Sequence, residues 1–253
     1  MYDPSDEALT LGEIRELELR GIPNWAYKFA MAQIIHLFDA YGTLFDVHSA
    51  VARLKAEIGP SAGRLSEIWR GKTLEQTWIY SLAGKPASFR KCLKNGLDFA
   101  ISATGPLSPE LRGRLLEAYD SLSAFPEVKD ALIGLKRKKS RLAILSNGDP
   151  DLLDAAVRSA GLQDHFDHVL SASEAGIFKP SARIYRLAMT KFGAAREEIT
   201  FVSSNRWDVA GASAFGFKAI WVNRSHAPDE YLDMPAAAIV QDLHGLPLLT
   251  GAA

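Results

Sequence analysis

Five short apolar runs along the chain predict the strands of a sheet. They lie at residues 34–38, 142–145, 169–171, 199–202 and 219–222. Continuous apolar runs of this length are typical of strands that are buried on both faces, as in a parallel sheet.

Segments with the signals of helices alternate with the later runs. The predicted helices cover residues 150–160, 180–192 and 207–215. The first follows Asp149, which suits an N-cap, and starts with Pro150, and all three end directly before a glycine. This alternation predicts an α/β fold, with a Rossmann-like parallel sheet as its core and helices on both faces.

Residues 47–124 interrupt the alternation. They predict four helices, over 49–57, 64–81, 88–101 and 108–121, and no convincing strand. A helical block inserted after the first strand predicts a cap over the edge of the sheet. The core then comprises residues 31–46 and 125–253.

The first 30 residues differ from the rest of the chain. They predict one short helix, over residues 7–20, and Met31 directly precedes the first apolar run. We therefore interpret residues 1–30 as an N-terminal extension outside the catalytic fold.

Polar side chains follow four of the predicted strands. In chain order, the first of each group are Asp39, Ser146, Lys179 and Ser203. Each alone is a weak signal, since an Asp or a Ser-Asn-Gly after a strand is often only a turn. Because ligands of open α/β sheets bind beyond the carboxyl ends of the strands, we expect these side chains to converge there.

The order of these residues resembles the haloacid dehalogenase superfamily over residues 31–245. Three segments narrow the resemblance to the L-2-haloacid dehalogenases. Residues 39–44 read Asp-Ala-Tyr-Gly-Thr-Leu, the cap carries Trp-Arg at 69–70 and Thr-Trp at 77–78, and residues 203–208 read Ser-Ser-Asn-Arg-Trp-Asp.

The resemblance implies a hydrolase that converts small (S)-2-haloalkanoic acids into (R)-2-hydroxy acids and halide, with inversion. Asp39 is then the nucleophile and forms an aspartyl ester with C2 of the substrate. Lys179 is expected to pair with Asp39 and hold it ionised.

The resemblance also implies roles for the remaining side chains. Ser146 is expected to bind the substrate carboxylate, and Arg70 and Asn147, with an aromatic edge from Trp207, to stabilise the leaving halide. The side chains expected to position and activate the hydrolytic water are Thr43, Ser203, Asn205 and Asp208, with Tyr185 as a supporting partner. Those expected to form the apolar wall of the substrate site are Tyr41, Leu74 and Phe89.

One position departs from the resembling pattern. Gly71 follows the cap arginine, where a longer polar side chain is usual in the family. A glycine there leaves the size of the substrate in question.

The residues predict chemistry without a metal or other cofactor. Phosphatases of the superfamily carry a second acid two residues after the nucleophile, where this chain has Tyr41. The last motif offers a single carboxylate, Asp208, which is a poor site for a hard cation. A halide leaves without protonation, so this residue set favours halide displacement. Two alternatives stay open: a phosphatase of the same superfamily and a catalytically silent binding protein on this fold.

Charge and composition exclude some partners. The net charge of −1 gives no general attraction for nucleic acid, and no apolar run reaches the length of about 18 residues that a membrane span needs. The single cysteine, Cys92, and an acidic N-terminus without a signal-peptide core lead us to expect a cytoplasmic protein. The resemblance implies a homodimer.

Overall fold

The computed structural model describes residues 34–249. The extension predicted for residues 1–30 therefore lies outside the described residues. The strands are β1 (Ile35–Phe38), β2 (Arg141–Ser146), β3 (His168–Ser171), β4 (Ile199–Ser203), β5 (Lys218–Val222) and β6 (Ala238–Val240). The helices are α1 (Ser49–Arg53), α2 (Lys55–Ile58), α3 (Ala62–Leu82), α4 (Phe89–Thr104), α5 (Pro109–Tyr119), α6 (Val128–Arg137), α7 (Pro150–Ser159), α8 (Ala182–Phe192), α9 (Arg206–Phe215) and α10 (Leu246–Leu249).

The six strands form one parallel sheet in the order β3-β2-β1-β4-β5-β6. This is a doubly wound sheet, and the strand order reverses between β1 and β4. In such sheets the ligand crevice opens at the carboxyl ends of the strands beside the reversal. The five predicted strands are confirmed, whereas β6 was missed; it is a strand of three residues at the sheet edge, and none of them is buried.

The central strands are buried because helices pack against the sheet. Every residue of β1 and β4 is buried. Helix α6 buries Val128, Ala131, Leu132 and Leu135, the spacing of three and four that places apolar side chains on one helix face. The imidazole of His36, in β1, is fully buried within this core.

The predicted ends of the core helices agree closely with the structure. Helices α8 and α9 end at Gly193 and Gly216, which adopt left-handed backbone conformations with φ of 61° and 103°. One start was wrong: α8 begins at Ala182, after Ser181 accepts a hydrogen bond from the Arg183 amide. The predicted helix over 49–57 is also divided, at Leu54, into α1 and α2.

The predicted role of Asp149 as a side-chain cap of its own helix was wrong. Asp149 occupies the N-cap position of α7, but its side chain makes no capping bond there. Its carboxylate accepts instead from the amides of Phe89 and Arg90, at the start of α4.

Helices α1–α5 form the predicted helical insertion between β1 and α6. Helices α3 and α4 approach so closely at Gly96 that a Cβ added there would lie 2.7 Å from Thr73 Oγ1. The two chain crossings between insertion and core are joined by backbone hydrogen bonds, from Asp46 to Ser123 (2.8 Å) and from Phe125 to Leu44 (3.0 Å). No helix within residues 34–249 is long and apolar enough to cross a membrane.

Candidate active site

Asp39 lies directly after β1, at the point where the strand order reverses. Its amide continues the sheet by donating to the Val202 carbonyl (2.9 Å). The following loop turns back on itself, with Gly42 at φ 90°, a conformation that favours glycine. The Asp39 side chain is 7% exposed, so its carboxylate lies in a protected site.

A buried lysine joins this carboxylate to a second one. Lys179 Nζ donates to Asp39 Oδ1 (3.1 Å) and to Asp208 Oδ2 (2.8 Å). Burial alone lowers the pKa of Lys179, but the Asp208 and Asp39 charges outweigh burial and raise it above its usual range. Lys179 is therefore charged at neutral pH, and the predicted Asp39–Lys179 contact is present.

Asp208, at the start of α9, has an environment unlike that of Asp39. Its Oδ1 accepts from the Tyr185 hydroxyl (2.7 Å), and its side chain is fully buried. Burial raises the pKa of Asp208 to about 6, and the Asp39 charge adds to this rise, whereas Lys179 opposes it. A carboxylate with a pKa near neutrality is suited to accept a proton during turnover.

The second oxygen of Asp39 is held by three neutral side chains. Asp39 Oδ2 accepts from Asn205 Nδ2 (2.7 Å), from Thr43 Oγ1 (3.0 Å) and, at a longer 3.4 Å, from Ser203 Oγ. Thr43 also accepts from the Ser204 amide (2.8 Å) and so ties the loop after β1 to the loop after β4. These three side chains, which the sequence predicts to position and activate the hydrolytic water, lie in direct contact with the Asp39 carboxylate.

Arg70 reaches this group from the cap. Its Nη2 donates to Asn205 Oδ1 (3.1 Å) and to the Tyr41 carbonyl (3.1 Å). Arg70 is half-buried on α3. The cap therefore contributes a fixed positive charge to the site.

The loop after β2 brings Ser146 and Asn147 to the same crevice. Asn147 Oδ1 accepts from the Lys179 amide (2.8 Å), and Ser146 Oγ accepts from the Gly148 amide (3.1 Å). Both side chains are buried. The carbonyl oxygen of Asn147 is thus engaged with the backbone, which leaves its amide nitrogen as the group available to a ligand.

Aromatic rings form one wall of the site. Tyr41 stacks on Phe89 of α4, with ring centroids 5.3 Å apart and an interplanar angle of 10°. Tyr119 of α5 lies against the same Tyr41 ring at 5.5 Å. Burial raises the pKa of Tyr41 well above its ordinary value, so this side chain is neutral.

The structure places the two remaining candidates less centrally. Leu74 lies one turn after Arg70 on α3 and is half-buried. Trp207 makes an edge contact with Trp78 of the cap at 5.5 Å. The two rings line a cavity of about 900 Å³ that borders Lys179.

Two residues that contact the site were missed from the sequence. Tyr119 packs between Tyr41 and Trp69, and the Arg70 charge beside it opposes the rise in its pKa that burial causes. Asp149 contacts the start of α4, as described above. Neither contact has a local sequence signal, since each joins residues far apart in the chain.

The acidic residues of the site do not form a cluster with further metal-ligating side chains. Within the described part of the chain, no three His, Cys, Asp or Glu side chains are grouped so as to hold a metal ion. The position between Asp39 and Asp208 is taken by the Lys179 ammonium.

The chain is similar to proteins of known activity. A family model described as haloacid dehalogenase-like hydrolase matches residues 36–216. The chain is 47% identical over 190 residues to the (S)-2-haloacid dehalogenase of Pseudomonas sp. (strain YL), which covers 74% of this chain and 82% of that protein.

Solved structures are similar over the same region. A dehalogenase with an intermediate complex has a TM-score of 0.85 at 39% identity, covering 88% of this chain and 99% of that one. The L-2-haloacid dehalogenase from Xanthobacter autotrophicus, with chloropropionic acid covalently bound, has a TM-score of 0.80 at 32% identity, covering 87% and 100%. These similarities span the sheet and the helical cap together.

Proposed function

Because the chain belongs to the haloacid dehalogenase-like hydrolases, we propose that it hydrolyses small (S)-2-haloalkanoic acids to (R)-2-hydroxy acids through an aspartyl ester. The observation that carries this proposal is the buried Asp39 carboxylate, which accepts a hydrogen bond from Lys179 Nζ at 3.1 Å. Two residues after Asp39, where phosphatases of the superfamily carry a second acid, this chain has Tyr41. Such a site has a nucleophile but, two residues after it, no acid to protonate a leaving alcohol in the first step.

In the first step, an Asp39 oxygen attacks C2 of the substrate from the side opposite the halogen. The new C–O bond forms as the carbon–halogen bond breaks, and the bonding pair leaves with the halide. Arg70 and the Asn147 amide face the developing negative charge, with an aromatic edge from Trp207. Ser146 and the backbone amides near Tyr41 bind the substrate carboxylate.

In the second step, water attacks the side-chain carbonyl carbon of the ester. One proton of the water passes to Asp208 as the new C–O bond forms. The acyl C–O bond then breaks, the leaving oxygen on C2 takes up the water's second proton, and the 2-hydroxy acid leaves with Asp39 ionised again. Asp208 then releases its proton to solvent. Tyr185 supports the Asp208 carboxylate, while Thr43, Ser203 and Asn205 hold the carbonyl group of Asp39. Net turnover releases one halide and one proton. Since the attack at C2 occurs once, its configuration is inverted.

The reaction is metal-independent in this proposal. The Lys179 ammonium lies between the two carboxylates at 3.1 and 2.8 Å and supplies the positive charge that a divalent cation supplies elsewhere. The apolar wall of Tyr41, Phe89 and Leu74 surrounds the alkyl part of the substrate.

The test is halide release from each enantiomer of 2-chloropropionate in excess EDTA, with Asp39→Asn as the matched variant. We expect turnover of the (S)-enantiomer and none by the variant, because a neutral amide is a poor nucleophile. Strict dependence on Mg²⁺ with hydrolysis of an aryl phosphate would favour a phosphatase. Ligand binding without turnover would favour a silent binding protein.

A single turnover in ¹⁸O-water distinguishes the ester from direct attack by water. We expect the label in the Asp39 carboxylate and an unlabelled first product. Label in the product hydroxyl, with Asp39 unlabelled, would reduce Asp39 to a general base.

We also propose that the enzyme works in the cytoplasm as a homodimer. A single cysteine is consistent with a reducing compartment. Near the end of α3, Ile79 and Leu82 expose 58% and 86% of their surface, and such apolar side chains favour association. Sedimentation of the wild-type protein tests the dimer.

A further inference from the structure

A carboxylate of the core caps a helix of the cap. Asp149 lies at the end of the loop that carries Ser146 and Asn147. Its Oδ1 accepts from the Phe89 amide (3.0 Å) and its Oδ2 from the Arg90 amide (2.8 Å). Both carboxylate oxygens are therefore engaged with the first turn of α4.

These two bonds complete the N-terminus of α4. A helix leaves its first four amides without partners inside the helix. The Lys91 amide donates to Ser88 Oγ (3.1 Å) and the Cys92 amide to the Ser88 carbonyl (3.3 Å), so the first two amides are those that Asp149 accepts from. A negative charge at this end of a helix is favourable, and charge-assisted hydrogen bonds are strong.

The first residue of α4 is also the residue that contacts the nucleophile loop. Phe89 is 1% exposed and its ring stacks on Tyr41. The same loop of the core also lies close to Tyr41, since a Cβ added at Gly148 would lie 2.7 Å from the Tyr41 ring. Residues 146–149 thus define the position of Tyr41 directly and that of Phe89 through Asp149.

We propose that Asp149 is a positioning residue that sets the width of the substrate pocket by holding Phe89 against Tyr41. This inference rests on the proposed function, in which the two rings face the alkyl group of the 2-halo acid. Asp149 itself touches no reacting atom. Its carboxylate fixes one aromatic wall relative to Ser146 and Asn147, the residues expected at the carboxylate and halide ends of the substrate.

The chain offers a matched control on the same helix turn. Asp151 accepts from the Arg90 guanidinium at 2.7 Å, and its side chain is largely exposed. Asp149→Ala and Asp151→Ala each remove one carboxylate that contacts α4. Only the first variant removes the partners of the Phe89 and Arg90 amides.

The kinetic test compares (S)-2-chloropropionate with (S)-2-chlorobutyrate. We expect Asp149→Ala to lower kcat/KM for chloropropionate roughly tenfold, mainly through KM, because a displaced wall weakens ground-state and transition-state binding alike. The ratio of kcat/KM between the two acids should change by about threefold or more, since a pocket discriminates a methylene by its fit. Asp149→Asn, which keeps one acceptor oxygen, should lie between wild type and Asp149→Ala.

Asp151→Ala should stay within about twofold of wild type in all these values. A loss of activity with an unchanged substrate ratio would indicate general destabilisation and overturn the proposal. Equal behaviour of the Asp149 and Asp151 variants would also overturn it.

Amide hydrogen exchange in segment 88–92 supplies a readout that does not need turnover. We expect faster exchange there in Asp149→Ala and not in Asp151→Ala. Unchanged exchange would show that Asp149 does not hold α4, whatever the kinetics. If the wild-type protein released no halide from either enantiomer, the proposed function would fail, and the exchange result would still judge the contact.

Discussion

The buried histidine of β1 should make the protein sensitive to acid. His36 is fully buried, and within residues 34–249 neither of its ring nitrogens has a hydrogen-bond partner. Burial, followed by the charge of Lys218, lowers the pKa of His36 to about 4, and the Ile34 backbone only partly opposes this. The folded state therefore favours the neutral form of the His36 ring.

The size of the effect follows from the two pKa values. The folded value is about 4 and the ordinary value 6.5, a difference that corresponds to roughly 3 kcal/mol of unfolding free energy. Because the folded pKa is depressed, this stability is present above pH 6.5 and is lost as the pH falls from 6.5 to about 4. Between pH 7.5 and 4.5 the loss should be about 2.5 kcal/mol.

Urea denaturation of wild type and His36→Leu at these two pH values measures the difference. Leucine has an apolar side chain of similar size and does not titrate. We expect wild type to lose about 2.5 kcal/mol more than His36→Leu on acidification. His226→Asn, at an exposed position with φ 53° that asparagine tolerates, controls for loss of a surface histidine. Equal losses by wild type and His36→Leu would refute the reasoning.

Substitutions at three positions test the site. Arg70→Ala should lower halide release by about 10²-fold or more with a melting temperature within a few degrees of wild type, and Arg70→Lys should recover only part of the rate; normal kinetics in Arg70→Ala would remove it from the site. Lys179→Met leaves two buried carboxylates without their cation, so urea denaturation should show a loss of about 3–5 kcal/mol at pH 7.5 and a smaller one at pH 5, where Asp208, with its raised pKa, is protonated; an equal loss at both pH values would contradict this. Tyr185→Phe removes the 2.7 Å bond that favours the charged form of Asp208, so the pKa of Asp208 rises further and the ester should accumulate, as mass spectrometry of the Asp39 peptide would show; its absence would argue against Asp208 as the base.

Local sequence signals predicted most of the fold. Apolar runs located five strands, and Gly193 and Gly216 located two helix ends, because these features depend on residues adjacent in the chain. The contact of Asp39 with Lys179 was predicted from the motif order. Asp149 is the N-cap residue of α7, as predicted, but the partners of its carboxylate could not be predicted, because they lie about 60 residues earlier in the chain. Tyr119 was missed for the same reason. The roles of the site residues in the reaction stay predictions.

The hydrogen-bonded crossings at residues 44–46 and 123–125 bear on how such an enzyme can diversify. The ends of the helical insertion lie side by side, joined by the 2.8 Å bond from Asp46 to Ser123. Any helical insertion at this position therefore has to bridge only the short gap between the two chain crossings. A foreign helical module with equally close ends should be exchangeable here without altering the register of β1. Only the groups that the module contributes, such as Arg70 and Phe89, would change with it. The sheet and the helical insertion can thus evolve as separate inherited units.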